Sequence, residues 1–257
     1  MQLDPKKIRK HILNMAYLGQ SAHIACAFSI VEILVVLLER INFNPSDPQR
    51  DYLVLSKGHG VMALYACMYE MGLLPLSDLE NYFKDGSHLH GLNSATVPGI
   101  DVSTGTLGHG LPVASGLAYG LMRSRSARQV YCIVGDGEMN EGSCWEAVMF
   151  AAHHKLNNLT LIVDSNRLQA MGKTRDVLDM GDMAKKLHAF GFGTLNCDGN
   201  DTSRVAAALD WDRNLYPKGI IAHTTKGSGV SWMEDVNEWH YRRLTPETYE
   251  KAMLDLA

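Results

Sequence analysis

Apolar positions along the chain fall into two kinds of segment: short uninterrupted hydrophobic runs, and longer stretches with helical spacing. Residues 52–55 read as a short buried strand, followed by the turn Ser56-Lys-Gly-His-Gly60. Three more continuous runs cover 130–134, 159–163 and 219–222. Residues 61–71, 112–122 and 145–153 carry helical periodicity, and small side chains along 112–122 suit close packing on a sheet. Ser29-Ile-Val-Glu32 and Ser77-Asp-Leu-Glu80 have the spacing of capping boxes, the first opening an apolar helix that runs to about Arg40. Asn44-Pro-Ser-Asp-Pro48 breaks the chain after it. Thr245-Pro246 is expected to cap a final helix with proline in its first position. Strands that are apolar throughout are buried on both faces. Their separation by helices therefore predicts an α/β fold, a parallel sheet with helices on both faces. Such sheets bind ligands beyond the carboxyl ends of their strands.

One long segment, 84–110, has no sustained period and is rich in Gly, His, Ser and Thr. A loop of this length with embedded apolar residues and no charge run reads as functional. Composition narrows the remaining choices. The 257 residues are 46% hydrophobic and 20% charged, with a net charge of -4, which gives no reason to expect a nucleic acid or an anionic membrane as partner. The best apolar run, 30–38, is interrupted by Glu32 and is far short of the roughly 20 residues that span a bilayer. The first residues are polar, without a signal-peptide core. Five cysteines without C-x-x-C spacing read as core thiols of a reducing compartment, so the expected location is the cytoplasm.

Candidate chemistry gathers at the ends of two predicted strands. Run 130–134 leads into Gly135-Asp136-Gly137-Glu138-Met-Asn-Glu141-Gly142, and run 159–163 leads into Asp164-Ser165-Asn166-Arg167-Leu168. In a parallel sheet both turns project from the same edge. An aspartate between glycines offers a hard oxygen where the backbone comes close to a ligand. An asparagine carbonyl and a backbone carbonyl add two more oxygens, a donor set suited to Mg²⁺ beside a phosphate. Taken alone, Gly-Asp-Gly is a common tight turn. The thirty residues from Asp136 to Asn166, with a strand–helix–strand between them, make it a specific pattern. No strand ends in G-x-G-x-x-G, which argues against a nicotinamide Rossmann protein.

The G-D-G start and the N end resemble the thiamine diphosphate motif. The wording from Gly135 to Leu159 is similar to the transketolase branch, and the likeness extends from Ser21 to about His240. Ser56-Lys-Gly-His59 resembles the family's S-x-G-H turn, Ser103-Thr-Gly-Thr-Leu-Gly-His-Gly110 its T-G-x-L-G-Q-G loop, and Ser21-Ala-His23 its early substrate-contacting histidine. The resemblance implies a single diphosphate-binding domain over residues 1–257, with thiamine diphosphate and Mg²⁺ (or another divalent cation such as Ca²⁺) as cofactors. It implies Asp136, Asn166 and the Leu168 carbonyl as metal ligands. The cofactor-binding set it implies is His59, Gly105, Thr106, Leu107, Gly135, Asp136, Gly137, Glu138, Asn166 and His240. His23, His59 and His240 are then expected to shuttle protons, since an unperturbed imidazole reaches both forms near pH 7. Glu141 is expected either to serve a helix N-terminus or to join a carboxylate network at a subunit interface.

In this family the glutamate that activates the cofactor lies on a second, pyrimidine-binding domain. The resemblance therefore implies a split enzyme with a separate C-terminal transketolase-type subunit, as an α₂β₂ assembly, moving a two-carbon ketol unit from a ketose or ketose phosphate to an aldose. A subunit of another thiamine diphosphate enzyme, of 2-oxoacid dehydrogenase or deoxyxylulose-phosphate-synthase type, and a non-catalytic binding subunit remain alternatives. Three departures bear on substrate. Leu92 stands where a donor-contacting histidine is usual, with His90 two residues earlier as a substitute contact; His109 replaces the loop's glutamine; Tyr241 replaces a glycine after His240. A leucine in place of a polar contact changes discrimination between hydroxylated and deoxygenated substrates, so a specialised sugar is expected.

Overall fold

The structure is a computed structural model that describes residues 2–211 and 215–257. An amino-terminal helical layer comprises α1 (Pro5–Leu18), α2 (Ile24–Phe28) and α3 (Val31–Leu38), followed by β1 (Tyr52–Leu55), α4 (Val61–Glu70) and α5 (Leu76–Glu80). Next come α6 (Gly110–Arg123), β2 (Val130–Gly135), α7 (Gly142–His153), β3 (Leu159–Ser165), α8 (Thr174–Leu178) and α9 (Met183–Phe190). The chain closes with β4 (Gly193–Asp198), α10 (Thr202–Asp210), β5 (Lys218–His223) and α11 (Pro246–Asp255). The five strands form one sheet in the order β1-β2-β3-β5-β4, and every pairing is parallel.

Uninterrupted apolar strands make sense because the two faces of the sheet feed two separate cores. Leu55, Ile133, Ile162 and Ile220 point into a core built with α1 to α5, α10 and α11. Val54, Val134, Val163 and Ile221 point the other way, against α6, α7 and α9. A polar residue at either phase would be buried, so alternation is suppressed. Strand β4 gives no clear signal in the sequence because it is an edge strand. None of its residues is fully buried, and the exposed, polar Asn196 and Asp198 break the apolar run. The same weakness hides α8 to α10, whose buried residues are few.

Both capping-box expectations are corrected. Helix α3 begins without a side-chain cap. Ser29 instead terminates α2 and donates its hydroxyl to Cys26 O at 3.1 Å and Asp164 Oδ2 at 2.7 Å. Glu32 turns away from the cap to take both guanidinium nitrogens of buried Arg9, at 2.7 and 2.9 Å. Helix α5 starts at Pro75 without any side-chain bond from Ser77. In both segments burial or a fixed proline decided the backbone, and local capping chemistry lost to it. The final helix does carry its cap: Thr245 accepts from Thr248 N, with Pro246 at the first turn. No helix among the described residues is long and apolar enough to cross a membrane.

Replacing Glu32 by alanine is expected to lower unfolding free energy by about 3–5 kcal/mol, because it strands a buried guanidinium. Ser77→Ala should stay within about 0.5 kcal/mol, since no cap is lost. Urea denaturation of the two variants checks both, and a matching loss in Ser77→Ala would contradict the absence of a cap.

Candidate functional site

Strands β2 and β3 are neighbours in register, with Gly135 opposite Asp164, so the two motif turns emerge side by side. Asp136 accepts from Gly137 N at 2.8 Å, from Arg167 N at 2.7 Å and from the Thr174 hydroxyl at 3.2 Å. Asn166 accepts from Leu168 N at 3.1 Å through Oδ1 and donates through Nδ2 to Asp164 at 3.0 Å. The Leu168 carbonyl accepts from the Lys226 ammonium at 3.1 Å. The three expected metal-ligating groups thus sit on one short stretch of strand ends. Burial, and then the neighbouring Asp164 carboxylate, push Asp136 up to about 6. An anionic group left this uncomfortable is suited to receiving a cation.

A cavity of about 720 Å³ opens over these turns. Its walls include His23, His59, His240 and Lys57, with Gly105, Leu107, Gly135, Gly137, Glu138 and Glu141. Thr106 is exposed and is not among the lining residues. The close approach of backbone explains two glycines. A Cβ on Gly137 would meet Gln169 Cγ at 2.7 Å, and one on Gly105 would meet Leu92 Cδ1 at 2.6 Å. Leu92 and Tyr241 both line the cavity, while His90 and His109 do not. His90 is exposed, so it does not take the place left by Leu92.

The three histidines come together from distant parts of the chain. His23 and His59 have ring centroids 5.4 Å apart, His23 and His240 5.2 Å, and His59 and His240 5.6 Å. Backbone bonds weld the cluster: His23 N donates to His240 O at 3.0 Å, and Ala27 N to His23 O at 3.1 Å. His23 is held there at a φ of 67°, a conformation costing a non-glycine residue about 1 kcal/mol, the kind of strain that collects at functional sites. Burial lowers the basicity of all three rings. Lys226 and Lys57 depress His23 further, Lys57 and the other two imidazoles His59, and Lys226 chiefly His240, which falls to about 3. The expected easy exchange between both protonation forms near pH 7 is therefore not what these surroundings favour; burial and the nearby lysines favour the neutral imidazoles.

Two cations have site roles that no spacing in the sequence marks, although both lie at strand ends. Lys226, just past β5, donates to Leu168 O and to His240 Nδ1 at 2.8 Å. Lys57, in the S-K-G-H turn, is buried in a pair with Asp164 at the end of β3. Burial disfavours both charges, but their mutual attraction carries the lysine above its usual value and the aspartate below. Asp164 also accepts from Thr224 after β5. A readable signal existed: a charge directly after the buried run 159–163 of a covered strand has to be paired. Glu138 works similarly, accepting from the Ser56 hydroxyl at 2.5 Å, Gly108 N at 2.9 Å and Gly135 N at 3.3 Å. Its carboxylate joins the β1 turn, the long loop and β2. Glu141 precedes α7, exposed and making no capping bond.

Comparison with known proteins places this arrangement. The family profile "Transketolase, thiamine diphosphate binding domain" matches residues 6–252. An apulose-4-phosphate transketolase subunit from Actinobacillus succinogenes is 41% identical, covering all of this chain and 95% of its own length. The 6-deoxy-6-sulfo-D-fructose transketolase subunit SqwG of Clostridium sp. (strain MSTE9) is 36% identical, covering all of this chain and 96% of its own length. Transketolase of Campylobacter jejuni superposes with a TM-score of 0.91 at 29% identity, covering all of this chain, which spans 43% of that longer chain. Strand order, paired motif turns and profile agree, and the chain belongs to the transketolase family, built on its thiamine diphosphate binding domain.

Proposed function

We propose that this chain is the diphosphate-holding subunit of a split transketolase, a transferase that moves a two-carbon ketol unit between sugars. It works with a separate C-terminal-type subunit carrying the pyrimidine-binding domain, as an α₂β₂ assembly in the cytoplasm. The observation that carries the reading is the 2.7 Å bond from Arg167 N to Asp136, which holds the carboxylate against the backbone link between Asn166 and Leu168.

The residues fit the cofactors. Carboxylate, amide and carbonyl oxygens are hard donors of the kind Mg²⁺ or Ca²⁺ takes, and the Leu168 carbonyl already accepts from a cation. Asp136, Asn166 and Leu168 would hold the ion, and Lys226, His59 and His240 would meet the anionic diphosphate. Gly105 and Leu107 would lie beside the cofactor rings. Bound thiamine diphosphate supplies the electron sink for breaking a carbon–carbon bond next to a carbonyl. The chain's own residues bind, orient and move protons. His23, His59 and His240 enter neutral, ready to accept a proton from a sugar hydroxyl and to return it. Glu141, exposed where it lines the cavity, would meet the partner chain.

The donor is a ketose phosphate or related ketose of a specialised kind. Leu92 puts an apolar side chain on the cavity wall, and the ring of Tyr241 lies 5.4 Å from that of His23. Apulose 4-phosphate and 6-deoxy-6-sulfofructose, the substrates named for the two relatives, are the first donors to test.

Co-expressed with its C-terminal-type partner, the protein should transfer ketol units only with thiamine diphosphate and a divalent cation. Asp136→Ala should lower kcat/KM roughly a thousandfold, about 4 kcal/mol of transition-state stabilisation. Full activity with xylulose 5-phosphate and ribose 5-phosphate would overturn the specialised donor. Leu92→His should raise kcat/KM for xylulose 5-phosphate roughly tenfold, the value of about one hydrogen bond.

The raised Asp136 pKa has its own signature in the cofactor-free chain. Between the ordinary value of 3.8 and about 6 the folded state binds more protons than the unfolded one. Stability contributed by this group is thus lost as pH rises through that window, on the order of 3 kcal/mol. Urea unfolding of wild type and Asp136→Asn from pH 4 to 7 isolates the effect: the wild type should decline relative to the variant. Parallel curves would show that the carboxylate is not strained.

A further inference from the structure

Cys26 lies on the cavity floor beside two histidines, and none of the oxygen ligands proposed for Mg²⁺ is part of that group. One donor atom each from Cys26, His59 and His240 falls within 4.8 Å of the others, and Cys26 Sγ is 3.6 Å from His240 Nδ1. Around a tetrahedral Zn²⁺, a thiolate at about 2.3 Å and an imidazole nitrogen at about 2.05 Å are separated by roughly 3.6 Å. Cys26 and His240 therefore already stand at the edge length of a zinc tetrahedron. His59 needs a side-chain adjustment of at most about 1.5 Å to reach the nitrogen–nitrogen edge of roughly 3.3 Å.

We infer that Cys26, His59 and His240 form a site for a soft divalent ion, Zn²⁺ in the first instance, that overlaps the cofactor cavity and excludes the diphosphate. The overlap clause rests on the function proposed above; the metal site itself does not. A Cys-His-His set with one open position matches the ligand preferences of Zn²⁺ and of its spectroscopic surrogate Co²⁺, and does not suit Mg²⁺. His240 is prepared for the role. Lysine can only donate, so the bond from Lys226 falls on the Nδ1 lone pair and places the ring proton on Nε2, which keeps Nδ1 deprotonated. Burial also holds the ring unprotonated, so no proton competes at that nitrogen.

Two features oppose the ion and set the conditions of binding. Burial raises the Cys26 thiol, so each ion that binds must displace one proton from sulfur to solvent as the metal–sulfur bond forms. The Lys226 ammonium must release His240 Nδ1, while its second bond, to the Leu168 carbonyl, gives it a place to stay. Lys57 is a weaker obstacle, because its charge is matched by Asp164. Metal affinity should therefore rise with pH and rise again when Lys226 is made neutral.

Titration of the cofactor-free full-length chain with Co²⁺ tests this directly. One ion per chain should bind with a sulfur-to-cobalt charge-transfer absorption, and one equivalent of Zn²⁺ should remove it. Cys26→Ser should abolish the absorption and weaken Zn²⁺ binding more than tenfold, whereas Lys226→Met should strengthen it. Cys197→Ser, at the one thiol that is not fully buried, should change neither. Absence of the absorption in the wild type, or its survival in Cys26→Ser, would overturn the site. In the complex with the C-terminal-type partner, thiamine diphosphate with Mg²⁺ should displace the cobalt; cobalt absorption coexisting with bound cofactor would overturn the overlap. A complex that takes cobalt but not thiamine diphosphate keeps the metal site and sinks the cofactor assignment instead.

Discussion

One ionised carboxylate, Asp164, buried at the carboxyl end of the central strand, is the constraint on which the site is built. A charge in that position is tolerated only if donors surround it, and each donor comes from a different part of the chain. Lys57 arrives from the turn after β1, Ser29 from the end of α2, Thr224 from beyond β5, and the Asn166 amide from its own turn. Lys57 reaches further and donates to Cys26 O at 3.1 Å. Satisfying one side chain therefore fixes the relative placement of nearly every segment that lines the cavity. Glu138 repeats the device one strand over and ties the long loop to the β1 turn.

Two lysines, Lys57 and Lys226, stand at the cavity wall among the carboxylates of Asp136 and Glu138. Lys57 is balanced, but Lys226 has only neutral acceptors, a carbonyl and an imidazole, at hydrogen-bonding distance. Lysine in that setting loses basicity mainly through burial, with Lys57 adding to the loss. Burial first, and then the lysine charges, lower the basicity of the three neighbouring imidazoles. An arriving polyanion would reverse these effects together: it would offset the lysine charge and raise the basicity of rings that had been held down. Proton-transfer capacity is in this sense conferred by the ligand, which the unperturbed histidine value alone does not convey.

Much of this was legible in the sequence because two periodicities survive tertiary packing. Continuous apolar strands follow from coverage on both faces, and the thirty-residue interval from Asp136 to Asn166 is one helix-plus-strand repeat, from the end of β2 to the end of β3. The capping boxes failed where a serine or a glutamate had a better partner far away, as Ser29 and Glu32 did. Strand β4 was invisible because an edge strand half open to solvent keeps its polar residues. Lys226 and Cys26 were missed as site residues for another reason. Each is a single residue whose meaning depends on what folds against it, and no spacing along the chain marks that.

The Glu138 clamp has a thermodynamic corollary. With Gly108 tied to Ser56 and β2 through one buried carboxylate, that end of the long loop is held by the protein's own hydrogen bonds. Closing over a guest then requires little chain ordering there, so association should resemble docking more than coupled folding. Its heat-capacity change would be small, set by the surface covered and without the large negative excess of a segment that condenses on its ligand.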